Sequence, residues 1–557
     1  MAELHFKDLR DMLSQTEKKY SDEIAFKMKY RNEVVGIKYS KFIEDIKCLG
    51  SYFTTLNLEN KRIGIFSENR YEWNVSYLAT ATSNMVVVPI DKALPENEFL
   101  SLVQRAQVEV LIYDKKHSPF VQKLVESSNS PVKYYIGMDD DFNQKIDEGR
   151  IILGRKDNKY NKIKIENDKP KFMLFTSGTT STSKCVLLSH RNICSNIEGI
   201  ADALDVTKDD TLLSFLPAHH TFECTAGFLY PVSVGAKIAF CEGLRHMVDN
   251  MKDFEVSAMI SVPLLYEGIY KKLWKQIVKS KKEKQVKVAL KASEALLKVG
   301  VDMRMQLFKQ VHEALGGKMR LLVSGAAAIT PEVAKGYNDF GFTMYQGYGL
   351  TETSPVVAVE KVDHVKNGSV GVPLKKIEVK IDEPDDTGIG EIMVKGPSVM
   401  LGYYNDEKAT NKVLEHGWFR TGDLGRIDEG GYIFITGRKK DVIVLKNGKN
   451  VFPDELEILV NKLPCVKESL VYGYTLEDGD VEIRAKIVYD KDEFVQEIGI
   501  MQDEEMYEMY MKKIKELNKK MPTYKYIRNL IITDEPLIKT TTNKVKRQEE
   551  LKKILGK

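Results

Sequence analysis

The sequence predicts an α/β protein with a large multi-subdomain N-terminal body of parallel sheets, a small β subdomain, and a smaller α+β C-terminal domain. Three observations predict it. Short apolar runs alternate with helix-length segments from Lys61 onward. After about Val370 the texture changes to short strands broken by Gly, Pro and Asp, and beyond Gly437 strand and helix alternate again. Alternation of this kind belongs to sheets whose crossovers are helices.

Taken in order, Ile63–Phe66 is an apolar run that ends at turn residues, and a helix follows from about Arg70 to Ala81. Met85–Ile90, a helix near Glu96–Ala106 and Val110–Tyr113 complete the first alternations. Runs of this length, apolar on both faces, fit central strands of a parallel sheet. Tyr134–Met138, Lys237–Phe240, Ala258–Val262 and Arg320–Ser324 repeat the pattern. In such sheets ligands bind at the carboxyl ends of the strands. Val379–Ile381, Glu391–Lys395 and Tyr432–Ile435 form the β subdomain. Ser469–Tyr472, Val481–Tyr489, a helix over Asp503–Lys520 and Leu530–Thr533 form the last domain. The boundary falls at Gly437–Asp441 and divides the chain into residues 1–439 and 440–557. Within the first unit, Lys271–Lys291 holds nine Lys and one Glu at helical spacing. A solvated helix face is the simpler reading, and a surface for anionic lipid headgroups is the alternative.

Composition limits the function classes. The 557 residues are 43% hydrophobic and 29% charged, a globular balance rather than a disordered one. Lys plus Arg total 83 against 80 Asp plus Glu, so bulk charge gives no reason to expect nucleic acid as the partner. The N-terminus lacks the apolar core of a secretory signal, and no apolar run approaches a membrane span. Six cysteines without CxxC spacing indicate neither a zinc site nor a disulfide framework. The expected location is the cytoplasm, with peripheral contact at the inner membrane face if Lys271–Lys291 meets lipid.

Four segments carry chemistry. In FMLFTSGTTSTSKCVLLSH, residues 172–190, an apolar strand runs into a Ser/Thr-Gly turn ending at Lys184. Backbone N–H and hydroxyl groups can turn inward there around a polyphosphate, with Lys184 as a point charge. It is not a Walker loop, because no Gly precedes Lys184 and no Ser or Thr follows it. In YQGYGLTETSP, residues 345–355, Tyr348 can stack on a base. Thr351 can donate to a phosphate, and Glu352 can hold a hard cation such as Mg²⁺. A glycine turn with a helix-capping Thr is the plain alternative. In WFRTGDLG and the following YIFITGRKKDVIVLKNGKNVFPDELE, Asp423 suits ribose hydroxyls and Arg438 adds a fork of donors. The fourth segment, PLIKTTTNKVKR, brings Lys544 near the end of the chain. Each segment alone also fits an ordinary turn or a solvated surface.

Their order is far more specific than any one of them. From about Lys38 to Arg547 the chain resembles the adenylate-forming superfamily of acyl-CoA synthetases, peptide-synthetase adenylation domains and firefly-type luciferases. The resemblance implies that Thr176, Ser177, Gly178, Thr179, Thr180 and Lys184 hold the β- and γ-phosphates of ATP. Ala326, Ala327 and Ala328 match the adenine segment, with Tyr348 and Gly349 beside the base. Thr351 contacts the α-phosphate, Glu352 holds Mg²⁺, and Asp423 with Arg438 takes the ribose. Lys544 matches a catalytic lysine, and Lys440 matches the hinge of a mobile C-terminal domain. Ser181, Ser183 and Cys185 stand where the family usually has Gly, Pro and Gly, Asn543 where Gly is common, and Ala326 and Ala328 where Gly and Pro are usual. No charge that the chemistry needs is lost.

Three segments resemble long-chain fatty acid–CoA ligases in particular: LPAHHTFE at 216–223, SVPLLYEGIY at 261–270 and LGGKMRLLVSGAAA at 315–328. That resemblance places His220, Phe222 and Gly325 at the acyl pocket; a capped loop at a strand end is the alternative for the His pair. The implied activity is ATP-dependent formation of an acyl-AMP and then a thioester, with ATP, Mg²⁺ and CoA. A separate carrier protein is the alternative acceptor, since the thirteen residues after Lys544 hold no fused carrier. A non-catalytic nucleotide or lipid sensor with the same fold is the alternative of another class.

Overall fold

The structure is a computed structural model that describes residues 4–31, 33–176, 183–362, 364–446, 449–477, 479–540 and 544–556. Two large sheets form the body. The nine-stranded sheet runs Val372–Pro373, Val356–Val359, Thr343–Gly349, Leu321–Ser324, Ala258–Ser261, Thr211–Ser214, Lys237–Phe240, Ile24–Tyr30 and Glu33–Lys38. Its middle is parallel, and it turns antiparallel at both edges. The seven-stranded sheet runs Gly402–Tyr403, Lys184–Leu188, Phe172–Thr176, Val86–Pro89, Arg62–Phe66, Val110–Tyr113 and Tyr134–Gly137. The strands from Arg62–Phe66 to Tyr134–Gly137 lie within a residue or two of the sequence reading, because each is an apolar run buried on both faces.

Between the sheets lie the helices Tyr39–Phe53, Tyr71–Thr82 and His190–Ala203 and the wide-wound helix Phe222–Leu229. Trp73 meets Phe228 edge-on, and Tyr77 stacks on Phe172 at 5.6 Å, so these elements share one core. Close approach is built in at Gly149, where a Cβ would fall 1.9 Å from the carbonyl oxygen of Cys48 on the neighbouring helix.

An antiparallel sheet of Glu378–Asp382, Gly390–Lys395, Leu414–Glu415, Trp418–Ile427 and Ile433–Arg438 forms the β-rich part. Beyond Lys439–Asp441, strands Val466–Thr475, Val481–Tyr489 and Ile527–Thr533 with helix Asp503–Asn518 build a separate core. Ion pairs tie it to the body: Lys275 Nζ reaches Glu493 Oε1 at 2.7 Å and Lys462 reaches Glu332 at 2.8 Å. Among the described residues no helix is long and apolar enough to cross a membrane.

The lysine-rich segment differs from its sequence reading. It is two helices, Pro263–Lys279 and Glu283–Lys298, broken at Ser280–Lys282, where Lys281 takes a φ of +57°. Lys271 and Lys275 both bind Glu493 while staying exposed, so part of the solvated face also serves an interdomain contact.

One buried pair secures the last helix, Arg547–Leu555. Lys486 Nζ donates to Glu550 Oε1 at 2.6 Å, and the Ile538 amide donates to Glu550 Oε2 at 2.9 Å. Both side chains are sealed from solvent beneath that helix. Removing one partner of such a pair leaves the other charge buried. Glu550→Ala should therefore cost about 3 kcal/mol in denaturant unfolding, whereas Lys486→Met with Glu550→Leu should cost far less.

Candidate active site

The carboxyl ends of the parallel strands open on one cavity of about 990 Å³. The β-rich sheet forms one wall, and residues 540 and 544–549 close it from the C-terminal domain. The four segments singled out in the sequence thus face one space.

One side is suited to phosphate. The strand Phe172–Thr176 returns antiparallel as Lys184–Leu188, which pairs Thr176 with Lys184 directly. Both line the cavity, while Ser177, Gly178, Thr179 and Thr180 lie outside the described residues. Lys184 Nζ sits 4.4 Å from the ring centre of Tyr403, a cation–π contact that aims the charge inward. The Tyr403 hydroxyl donates to Glu352 Oε1 at 2.9 Å, and Glu352 makes no ion pair among the described residues. Its other oxygen is available to a hard cation. No cluster of three His, Cys, Asp or Glu exists among the described residues. Thr351 lies beside it, 3.4 Å from the Thr221 hydroxyl.

The second side is built on Asp423. The carboxylate is 4% exposed and does not itself line the cavity. Tyr348 donates to Oδ2 at 2.6 Å and Arg438 Nε to Oδ1 at 2.8 Å, and both of those residues do line it. Burial raises the Asp423 pKa, and the positive charge of Arg438 opposes the rise. Burial works against the Arg438 charge, but Asp423 and Tyr348 outweigh it and keep the guanidinium protonated. Two residues on, Lys440 also faces the cavity, its pKa lowered by burial.

Lys544 enters from the far end of the chain. Its backbone is held by Thr540, whose amide donates to the Lys544 carbonyl at 2.8 Å and whose hydroxyl accepts from the Lys544 amide at 3.1 Å. Arg547 anchors the same stretch to Asp454 at 2.7 Å and to Glu457. The Lys544 side chain is open to the cavity solvent yet surrounded by protein. That enclosure, then Arg438, lowers its pKa, while Asp423 and Glu352 resist the change.

The third side is apolar. Ile200, Leu204, Ala226, Ile260 and Val323 line it behind Phe222. Gly325 belongs with Phe222 because a Cβ there would lie 2.8 Å from the ring tip. His220 stands at the mouth, its pKa pushed down to about 3 by burial and next by Lys544, so the imidazole is neutral. Its neighbour His219 reaches Asp91 at 3.5 Å. Behind the wall, Glu223 accepts a 2.6 Å bond from Ser214, and its Oε2 has no partner among the described residues. Burial pushes the Glu223 pKa up to about 8, and a Cβ on Gly227 would lie 2.8 Å from Oε2. The helix carrying Phe222, Glu223 and Ala226 is π-wound, a form that recurs at functional sites.

The structure therefore brings Thr176, Lys184, His220, Phe222, Gly325, Ala326, Tyr348, Gly349, Thr351, Glu352, Arg438, Lys440 and Lys544 to one cavity. Ala327 and Ala328 do not line it and are exposed. Tyr403, Thr221, Asp91 and Glu223 escaped the sequence reading. Tyr403 lies in an unremarkable GYY segment, and its partner Glu352 is 51 residues away, so only the fold pairs them. Glu223 was inside a segment singled out for its histidines, and its burial was the missing signal.

Comparison with known proteins gives a consistent result. The family model of the AMP-binding enzyme matches residues 13–404, and that of the AMP-binding enzyme C-terminal domain matches residues 440–554. The long-chain-fatty-acid–CoA ligase FadD15 of Mycobacterium bovis is 30% identical over 455 residues, covering 78% of this chain and 74% of its own. The long-chain-fatty-acid–CoA ligase 5 of Mus musculus is 28% identical over 565 residues, covering 92% and 82%. Among solved structures, the anthranilate CoA ligase AuaEII in complex with anthranoyl-AMP superposes with a TM-score of 0.78 at 18% identity, covering 98% of this chain and 97% of that one.

The state of Glu223 has a measurable consequence. Its folded pKa of about 8 lies above the ordinary 4.5, so the folded state binds more protons than the unfolded state between those values. Stability contributed by the neutral acid is complete below pH 4.5 and declines as pH rises through about 8. Glu223→Gln cannot titrate. It should gain on the unaltered protein by on the order of 1 kcal/mol per pH unit across that window, read by denaturant unfolding at several pH values, and hold a constant difference above it.

Proposed function

Because the chain belongs to the AMP-binding enzyme family, we propose that it is an AMP-forming fatty acid–CoA ligase. The single observation that carries the reading is one cavity with Lys184, Arg438 and Lys544 at its polar end and an apolar recess behind Phe222 at the other. That recess takes an acyl chain by burial, at about 0.8 kcal/mol per CH₂ group. The acid is a medium- to long-chain fatty acid, which agrees with the long-chain-fatty-acid–CoA ligases it resembles.

In the first step a carboxylate oxygen of the acid bonds to the α-phosphorus of ATP, and pyrophosphate leaves. Both reactants are anionic, so the barrier is largely repulsion, and fixed positive charge in an enclosed site lowers it. Lys544 bridges the acid and the α-phosphate, with Thr351 donating beside it. Neutral His220 admits the carboxylate without forming a competing ion pair. Glu352 would hold Mg²⁺, which would neutralise charge on the phosphates. Tyr348 faces the base and Arg438 the ribose, with Asp423 behind them orienting both through its two oxygens. In the second step the thiol sulfur of CoA bonds to the acyl carbon, AMP leaves with its electron pair, and the thiol proton passes to solvent. Lys544 stands in the thiol's path, so residues 440–557 turn about Lys440 between the steps.

Incubation with ATP, Mg²⁺, CoA and a graded series of fatty acids should give acid-dependent pyrophosphate release and an acyl-CoA product. Release with no acid of the series would overturn the reading. Exchange of CoA for a carrier protein separates the two thiol acceptors, and nucleotide binding without release would point to the sensor. Lys544→Ala should reduce adenylate formation by at least about 100-fold, the scale of one lost transition-state donor. ATP binding, measured by calorimetry, should change little.

A further inference from the structure

The helices Pro263–Lys279 and Glu283–Lys298 turn at Ser280–Lys282; the first packs through Tyr266, Leu273 and Trp274, and the second through Val286 and Leu290, onto the core around Phe340. The segment that follows is different. Leu297, Val299, Val301, Met303, Met305 and Leu307 are all exposed, Val299 at 73%. Isolated exposed apolar residues are ordinary, but a contiguous group marks an interaction surface.

The same stretch concentrates charge. Residues 271–309 contain eleven Lys and one Arg against three acidic residues, whereas the whole chain carries only +3. Glu493 engages Lys271 and Lys275, and Lys287 and Lys298 pair with Glu283 and Glu294. Lys272, Lys279, Lys281, Lys284 and Lys291 make no ion pair among the described residues. The sequence reading centred a lipid surface on Lys271–Lys291. In the structure the first of those lysines serve the interdomain contact.

We propose that residues 279–307 form a docking surface for an anionic lipid bilayer, with the unpaired lysines at headgroup level and the apolar side chains of 297–307 in the acyl boundary. Charge alone also suits nucleic acid or an acidic protein. A nucleic acid, however, offers no apolar phase for Val299 or Met305, and none of the exposed large side chains here is an aromatic that could stack on bases. A second copy of the chain would set two strongly basic faces against each other. A bilayer supplies anionic headgroups and an apolar layer together, and a helix pair too polar to span it can lie in its plane. The choice of lipid also rests on the fatty-acid reading above, since long acyl chains partition into bilayers.

The test is co-sedimentation of the full chain with vesicles of phosphatidylcholine alone or mixed with phosphatidylglycerol. Binding to the anionic vesicles should be at least about tenfold stronger and should weaken as salt is raised. Lys281→Gln, Lys284→Gln and Lys291→Gln together should lose on the order of 100-fold, because each lysine near such a surface contributes roughly fivefold. Val299→Ser, Met303→Ser and Met305→Ser together should remove the binding that survives high salt. Equal binding to both vesicles, no binding, or unchanged binding by the lysine variant would overturn the proposal. So would dimerisation through this face in size-exclusion chromatography, or binding of a homopolymeric RNA in place of vesicles. Acid-dependent AMP release is measured in parallel with an acid soluble as monomers. Its absence counts against the ligase reading and leaves the vesicle result standing, and the converse also holds.

Discussion

The carboxylate of Asp423 is the joint on which the rest of the structure depends. It sits on the strand Trp418–Ile427 of the β-rich sheet, receives a bond from Tyr348 of the nine-stranded sheet, and another from Arg438 at the end of the adjoining strand Ile433–Arg438. Three parts of the chain therefore meet at two hydrogen bonds, both to one buried group. A buried carboxylate without donors is costly, so each part is held to the others by the need to satisfy it. The end of the last strand of the β-rich sheet is in this way tied to the wall of the cavity, and Lys440 lies two positions beyond Arg438.

A second constraint divides the cavity electrically. Positive charge gathers at one end, on Lys184, Arg438 and Lys544, while the other end is kept neutral. Burial strips the proton from His220 and retains the proton on Glu223, so two ionisable groups beside the apolar recess both lose their charge. The same low-polarity surroundings that neutralise them strengthen the fixed charges a few residues away. The π-wound helix Phe222–Leu229 makes this division possible, since it presents Phe222 and Ala226 to the recess and folds Glu223 behind the wall against Gly227.

Charge is also divided over the outside. The near-zero net charge conceals a basic pair of helices balanced by acidic residues elsewhere in the chain. Glu493 takes two of its lysines for the interdomain contact, which links the orientation of the C-terminal domain to the element that carries the exposed basic and apolar surface.

Most of the secondary structure was legible in the sequence, because buried parallel strands are written as short apolar runs with turn residues at their ends. The strands Val110–Tyr113, Lys237–Phe240 and Val481–Tyr489 coincide with their runs. The candidate site was legible as a series of motifs, since phosphate and cation binding call for particular residue types such as Lys184, Glu352 and Lys544. What local sequence did not contain was anything set by contact between distant segments. The pairing of Tyr403 with Glu352, the sealing of Asp423 behind Tyr348, the diversion of Lys271 and Lys275 to Glu493, and the protonation of Glu223 all depend on which groups surround a side chain. Sequence specifies which groups are available to ionise, donate or pack; only the tertiary structure fixes their neighbours and their access to water, and those two quantities decide charge.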